Sequence, residues 1–142
     1  MVSDSPPKFQ GERIAIIVKK KNDYRKRVGR GGEDRAVHYL EGKGYTVLER
    51  NYRAERGEID IVALDGDILV FVEVKTKRHD SFGEPETWVD RRKQAQIGKI
   101  AQAYIQQHNI DDRDCRFDVI GIVDDDQNTE IHHIEDAFWL ET

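Results

Sequence analysis

Apolar positions recur along the 142-residue chain at two spacings, and each predicts a different element. From Gly31 onward Glu33, Ala36, Val37 and Leu40 fall three or four residues apart, which places them on one helical face, and Gly42 and Gly44 end that helix. Tyr45 to Tyr52 reads as a strand. Gly57 to Lys75 reads as two strands about the turn Asp65-Gly66, a dipeptide suited to a two-residue hairpin. A second helix is expected over about Val89 to His108, because Val89, Lys93, Ile97, Ile100, Ala101 and Tyr104 share one stripe in which Lys93 alone is charged. Arg116 to Val123 and Thr129 to Ile134 then read as strands joined by the acidic turn Asp124-Asp125-Asp126-Gln127-Asn128.

The order helix, three strands, helix, two strands predicts an α/β domain over residues 31–142, with one central mixed sheet flanked by helices. The helix between the third and fourth strands is long enough to cross over and make those strands parallel. Residues 1–30 are expected to form a basic N-terminal extension. In it Ser5-Pro6-Pro7 is extended, Ile14 to Val18 a short strand, and Lys19 to Arg30 a linker. Arg78 to Thr87 reads as a polar loop.

Charge sharpens this picture. The net charge is −5, but residues 1–56 hold 14 Lys and Arg against 8 Asp and Glu, a surplus of +6, while residues 57–142 hold 9 against 20, or −11. The single Cys115 permits no intramolecular disulfide and has no zinc-ligand spacing around it, so a packing role in a reducing compartment is expected. The longest aliphatic runs, Ile14 to Val18 and Ile68 to Val72, are too short to span a membrane, and no signal-peptide pattern opens the chain. A cytoplasmic location without membrane attachment follows as an expectation.

The hairpin carries the candidate chemistry. With Asp65-Gly66 as the loop, Leu64 faces Asp67, Asp60 falls opposite Phe71, and Glu58 falls opposite Glu73. Asp60, Glu73 and Lys75 then share a face, with the two acids diagonal neighbours about 7–8 Å apart. Ile59, Ile61, Ala63, Ile68, Val70, Val72 and Val74 take the opposite face. Two half-buried carboxylates side by side repel and take up protons unless a cation offsets them. Oxygen ligands without a Cys or His cluster favour Mg²⁺ or Mn²⁺ over zinc. Lys75 would hold water or a phosphate oxygen, and Glu33 is a candidate third acid, although the first turn of a helix favours an acid in any case. Lys93 either reaches the same cleft or snorkels past the core edge. The five histidines suggest no metal site, and adjacent His132 and His133 would point to opposite faces of a strand.

Asp60 followed by Glu73-Val74-Lys75, on consecutive strands after an acid-bearing helix, resembles the PD-(D/E)XK nuclease superfamily. Gly32-Glu33 with Ala36, Arg50-Asn51-Tyr52-Arg53, Gly57-Glu58-Ile59-Asp60, Phe71-Val72-Glu73-Val74-Lys75, Lys93 and Arg116-Phe117-Asp118-Val119 together resemble the YraN family of endonuclease-like bacterial proteins, over roughly residues 29–135. The resemblance implies a restriction-endonuclease-like fold similar to archaeal Holliday-junction resolvases. It implies Glu33, Asp60, Glu73 and Lys75 as catalytic residues, and Asp60, Glu73 and the carbonyl of Val74 as ligands of Mg²⁺ or Mn²⁺. The chain departs from the superfamily pattern in having Ile59, not proline, before Asp60, and Ile100 where one branch has a glutamine four residues before Tyr104.

The expected activity is phosphodiester hydrolysis by a divalent-metal-dependent DNA endonuclease, with branched or junction DNA a candidate substrate and a homodimer a candidate assembly. The alternative is a non-catalytic nucleic-acid-binding module that keeps the fold and contacts nucleic acid through residues 19–30 with Arg50, Arg53 and Arg56. A third option is a protein-interaction domain that offers its acidic region to a basic partner.

Overall fold

The computed structural model describes residues 31–78, 89–124 and 128–138. The N-terminal extension expected over residues 1–30, all but the first residue of the polar loop, and the middle of the acidic turn lie outside the described residues. The elements run α1 (Gly31–Gly42), β1 (Thr46–Ala54), β2 (Gly57–Asp65), β3 (Ile68–Arg78), α2 (Arg91–Gln107), β4 (Cys115–Asp124) and β5 (Thr129–Ile134). One five-stranded sheet takes the order β1-β2-β3-β4-β5, antiparallel throughout except where β3 runs parallel to β4. That parallel pair needs a long connection, and α2 is part of it.

Alternation along the strands divides the core into two layers, one on each side of the sheet. Ala36 and Leu40 of α1 pack with Ile61, Ala63, Val70, Val72, Ile120 and Ile122. Ile97, Ile100, Ala101 and Tyr104 of α2 pack with Val62, Leu64, Leu69, Phe71, Phe117 and Val119. The middle strands are therefore covered on both faces, and each large apolar side chain so buried contributes about 1.5–3 kcal/mol. Asp90 caps α2: its Oδ1 accepts the Lys93 N–H at 2.9 Å.

Three expectations change. The hairpin loop is Gly66-Asp67, since Asp65 pairs with Ile68 and Leu64 with Leu69. Gly66, at φ 60, occupies the first loop position, where a positive φ is required, and Asp65 is left in the strand. The register moves by two residues, so the parity that sorts side chains between faces survives. Ile59 does not join Ile61 on the α1 side; it packs in the α2 layer with Tyr52. Both strands turn over at one place, where Asn51 has a left-handed φ of 53 and the flanking pairs Arg50↔Ile61 and Tyr52↔Ile59 set it opposite Asp60. Cys115 is exposed and contributes nothing to the core, because it opens β4 at the sheet's rim.

Candidate active site

Pairing between β2 and β3 stops at Ile61↔Val72, and the next residues of both strands turn to other work. Asp60 Oδ2 accepts the N–H of Val74 at 2.8 Å. A residue in an extended strand points its N–H and C=O to the same edge, so the Val74 carbonyl also opens towards Asp60. Had the register continued, Glu73 would stand across from Asp60, one diagonal step closer than the spacing predicts. Its carboxyl is close enough to that of Asp60 for each to influence the other's ionisation. Glu73 is buried, with Lys93 Nζ at 3.6 Å and Lys75 Nζ at 4.0 Å from its Oε2.

On the other side of Asp60 stand two more acids. One carboxylate oxygen from each of Glu33, Glu58 and Asp60 falls within 4.8 Å of the others. Asn51 Nδ2 donates to both oxygens of Glu33 at 3.1 Å and to Glu58 Oε2 at 3.4 Å, which the left-handed turn at Asn51 makes geometrically available. Arg50 ties α1 to β1 from beneath: its Nη2 is 2.6 Å from Asp34 Oδ1 and 3.6 Å from Glu33 Oε1. Arg53 Nη2 lies 3.4 Å from Glu58 Oε1.

These neighbours govern ionisation. Burial, then the charges of Glu73, Glu33 and Glu58, push the Asp60 carboxyl up to about 8 against the opposing Val74 N–H. Burial also raises Glu73, outweighing the attraction of Lys93 and Lys75. Asp60 and Glu73, two hard oxygen donors whose ionisation burial opposes, fit a divalent cation well. The cluster of Glu33, Glu58 and Asp60 could bind a metal ion.

The structure thus brings Glu33, Asp60, Glu73, Val74 and Lys75 to one notch, and Lys93 reaches it as well. Glu58 does not face Glu73; it pairs with Arg53 and turns its carboxylate towards Asp60. Its place two residues before Asp60 on the same strand was the available signal. Asn51 stands out only as part of the Arg50-Asn51-Tyr52-Arg53 motif, and its role is not legible there because its use depends on a backbone turn. Arg50 is buried against α1 and offers no contact surface to nucleic acid, in contrast to exposed Arg53.

A second polar cluster forms around Arg116 and Asp118 of the Arg116-Phe117-Asp118-Val119 motif, to which the sequence assigns no role. Asp118, 1% exposed, accepts from Arg116 at 2.9 and 3.0 Å, from His133 Nε2 at 2.7 Å and from the Asp136 N–H at 3.0 Å. Arg116 also donates to Tyr45 Oη at 2.6 Å and to Asp65 Oδ2 at 3.0 Å. His133 is buried in this cluster while His132 faces out towards Glu130, as strand alternation requires. The network ties β5, and Tyr45 just ahead of β1, to β2 and β4.

A mixed five-stranded sheet with a helix on each face, carrying an acid-lined notch where β2 and β3 part, defines an α/β protein with a restriction-endonuclease-like core. The chain belongs to the YraN family: the model described as "Uncharacterised protein family UPF0102" matches residues 32–122, a span that includes every residue of the notch named above. It is 49% identical over 121 residues to a UPF0102 protein of Geotalea daltonii, covering 84% of this chain and 94% of the relative. A UPF0102 protein of Syntrophus aciditrophicus is 46% identical over 114 residues, with 80% and 90% covered. One from Alkaliphilus oremlandii is 45% identical over 115 residues, with 80% and 98% covered. Among the described residues no helix is long and apolar enough to cross a membrane.

Proposed function

We propose that this protein is a divalent-metal-dependent endonuclease that hydrolyses phosphodiester bonds in DNA. The observation that carries this reading is the convergence of Asp60 and Glu73 at the frayed end of the β2–β3 pair, with Lys75 beside Glu73 and Glu33 beside Asp60. Asp60, Glu73 and the Val74 carbonyl would hold Mg²⁺ or Mn²⁺. When bound, such an ion supplies the positive charge that lets both carboxylates ionise and that polarises the phosphate.

The side chains supply the rest. Lys75 presents an ammonium that offsets negative charge developing on the phosphate oxygens and positions the attacking water. Lys93 braces Glu73 from α2 and limits its rotamers. Asn51 holds Glu33 and Glu58, so that neither swings out to solvent. Because these groups sit on paired strands and a capped helix, their spacing costs little reorganisation at the moment of reaction.

Asp60→Ala and Glu73→Ala are expected to abolish Mg²⁺-dependent DNA cleavage while leaving the circular dichroism spectrum unchanged. Wild-type protein that leaves duplex, single-stranded, flap and junction DNA uncut across Mg²⁺ and Mn²⁺ would overturn the proposal. A second reading, a nucleic-acid-binding module without catalysis, draws on the engagement of Glu73 by two lysines, which partly neutralises the site before any ion arrives. Binding that falls steeply with salt yet ignores metal and both acid substitutions would favour that reading.

A further inference from the structure

Helix α2 carries four cations, Arg91, Arg92, Lys93 and Lys99, and no acid, within a chain whose net charge is −5. Arg92, Gln96 and Lys99 follow one another by four and three residues and so line one face of the helix. Gln96, at the centre of that row, donates from Nε2 to the Arg56 carbonyl at 3.3 Å. The β1–β2 turn rests directly on this point. A Cβ placed on Gly57 would lie 2.6 Å from Gln96 Nε2 and 3.0 Å from Ile100 Cδ1, so the close seating depends on the missing side chain.

The turn presents exposed Arg53 and Arg56 around an open recess of about 520 Å³ lined by Arg53, Ala54, Glu55, Arg56, Gly57 and Glu58. Arg92 and Lys99 are exposed on the helix against which it sits. Turn and helix each also touch the acid notch, through Arg53 at 3.4 Å from Glu58 and Lys93 at 3.6 Å from Glu73. Cations therefore lead away from the notch along two elements fastened to each other by Gln96.

We propose that Arg53, Arg56, Arg92 and Lys99 form a phosphate-binding track for the DNA strand that enters the notch, a proposal that rests on the nuclease reading of the site. The acids of the notch repel a phosphate backbone, so the binding energy must come from cations beside them. Two acids of the recess oppose the track: Glu55 at the tip of the turn and Glu58, which pairs with Arg53. No side chain in it is asked to do chemistry.

The test uses the full chain and fluorescence anisotropy with a labelled DNA duplex in EDTA, between about 50 and 200 mM salt. Arg53→Ala/Arg56→Ala and Arg92→Ala/Lys99→Ala are each expected to make the plot of log affinity against log salt shallower by about 1.8, near 0.9 for each phosphate no longer neutralised. The quadruple variant should show about twice that change, with an unchanged thermal melt. A slope unaltered in the quadruple variant overturns the track. So does a slope that disappears on replacing Lys19, Lys20 and Lys21 by alanine, or a wild type that binds no DNA at the low-salt end. Wild-type protein that binds with the expected slopes but cleaves nothing removes the nuclease reading and leaves the track; a cleaving wild type whose quadruple variant binds normally does the reverse.

Discussion

Lys93 Nζ stands 3.6 Å from Glu73 Oε2, closer than Lys75 at 4.0 Å, although Lys75 is two residues from Glu73 on the same strand and Lys93 comes from a helix on the far side of a long connection. The two lysines hold one carboxylate from different directions, and their removal should be felt differently. Lys75→Ala is expected to lower DNA cleavage about 10²–10³-fold at saturating Mg²⁺, the usual effect of removing one group aimed at transition-state charge. Lys93→Ala should act through Glu73, raising the Mg²⁺ concentration needed for half-maximal cleavage more than it lowers the maximal rate. Metal titrations of both variants separate these outcomes.

The raised Asp60 pKa makes a prediction about stability. In metal-free protein the folded state keeps the Asp60 proton up to about 8, whereas an unfolded chain releases it near 3.8. Between those values the folded state binds more protons than the unfolded one, so this residue lowers stability progressively as pH rises from about 4 to about 8. Below that window the penalty is absent. Asp60→Asn should therefore melt higher than wild type at pH 8 and nearly level with it at pH 4, and Mg²⁺ should raise the wild-type melt at pH 8 while leaving Asp60→Asn nearly unmoved. Thermal unfolding at the two pH values, with and without Mg²⁺, checks both.

Glu33 and Glu58 lean on the same Asn51 amide but hang from different elements. Glu33→Gln and Glu58→Gln are each expected to weaken Mn²⁺ binding measured by calorimetry, and Asn51→Ala to weaken it through the loosened pair. Wild-type Mn²⁺ affinity in both glutamine variants would place the ion between Asp60 and Glu73 alone.

The buried cluster at Asp118 should govern stability and leave the notch untouched. Burial works against its charge, but hydrogen bonds from His133, Arg116 and the Asp136 N–H outweigh it and hold the carboxyl below its ordinary value. Asp118→Ala removes the buried acceptor that Arg116 and His133 share, leaving Arg116 with Asp65 and Tyr45, and should cost about 3–5 kcal/mol in urea unfolding at neutral pH. Because the folded pKa is depressed, the stabilisation is present above the ordinary carboxylate pKa of 3.8 and is lost as pH falls through the lower folded value. The gap between variant and wild type should narrow accordingly in acid.

Much of this architecture can be read before folding is considered. The helical stripe of Ile97, Ile100, Ala101 and Tyr104 and the alternation of Val62, Leu64, Leu69 and Phe71 emerge as one layer because period and burial are the same physics seen twice. Asp60, Glu73 and Lys75 are legible as a group because strand parity tolerates a turn displaced by two residues. The same parity rule misplaces Ile59, since it assumes an unbroken ladder and the ladder turns over at Asn51 and Asp60. The rule has no means of finding Asp118 and His133, which are 15 residues apart and meet only through the pairing of β4 with β5.

Local pattern alone set the kinds and order of the elements, the two apolar layers and the identity of the acids at the hairpin's end, because those depend on side-chain spacing along a strand or helix. Folding in three dimensions settled which acids meet: Glu58 and Glu33 reach Asp60 through a left-handed residue on a neighbouring strand, and Lys93 reaches Glu73 because α2 crosses back over the sheet. Carboxylates and ammonium groups interact across space at a few ångströms, and no periodicity in a linear chain encodes a distance between residues that only packing makes neighbours.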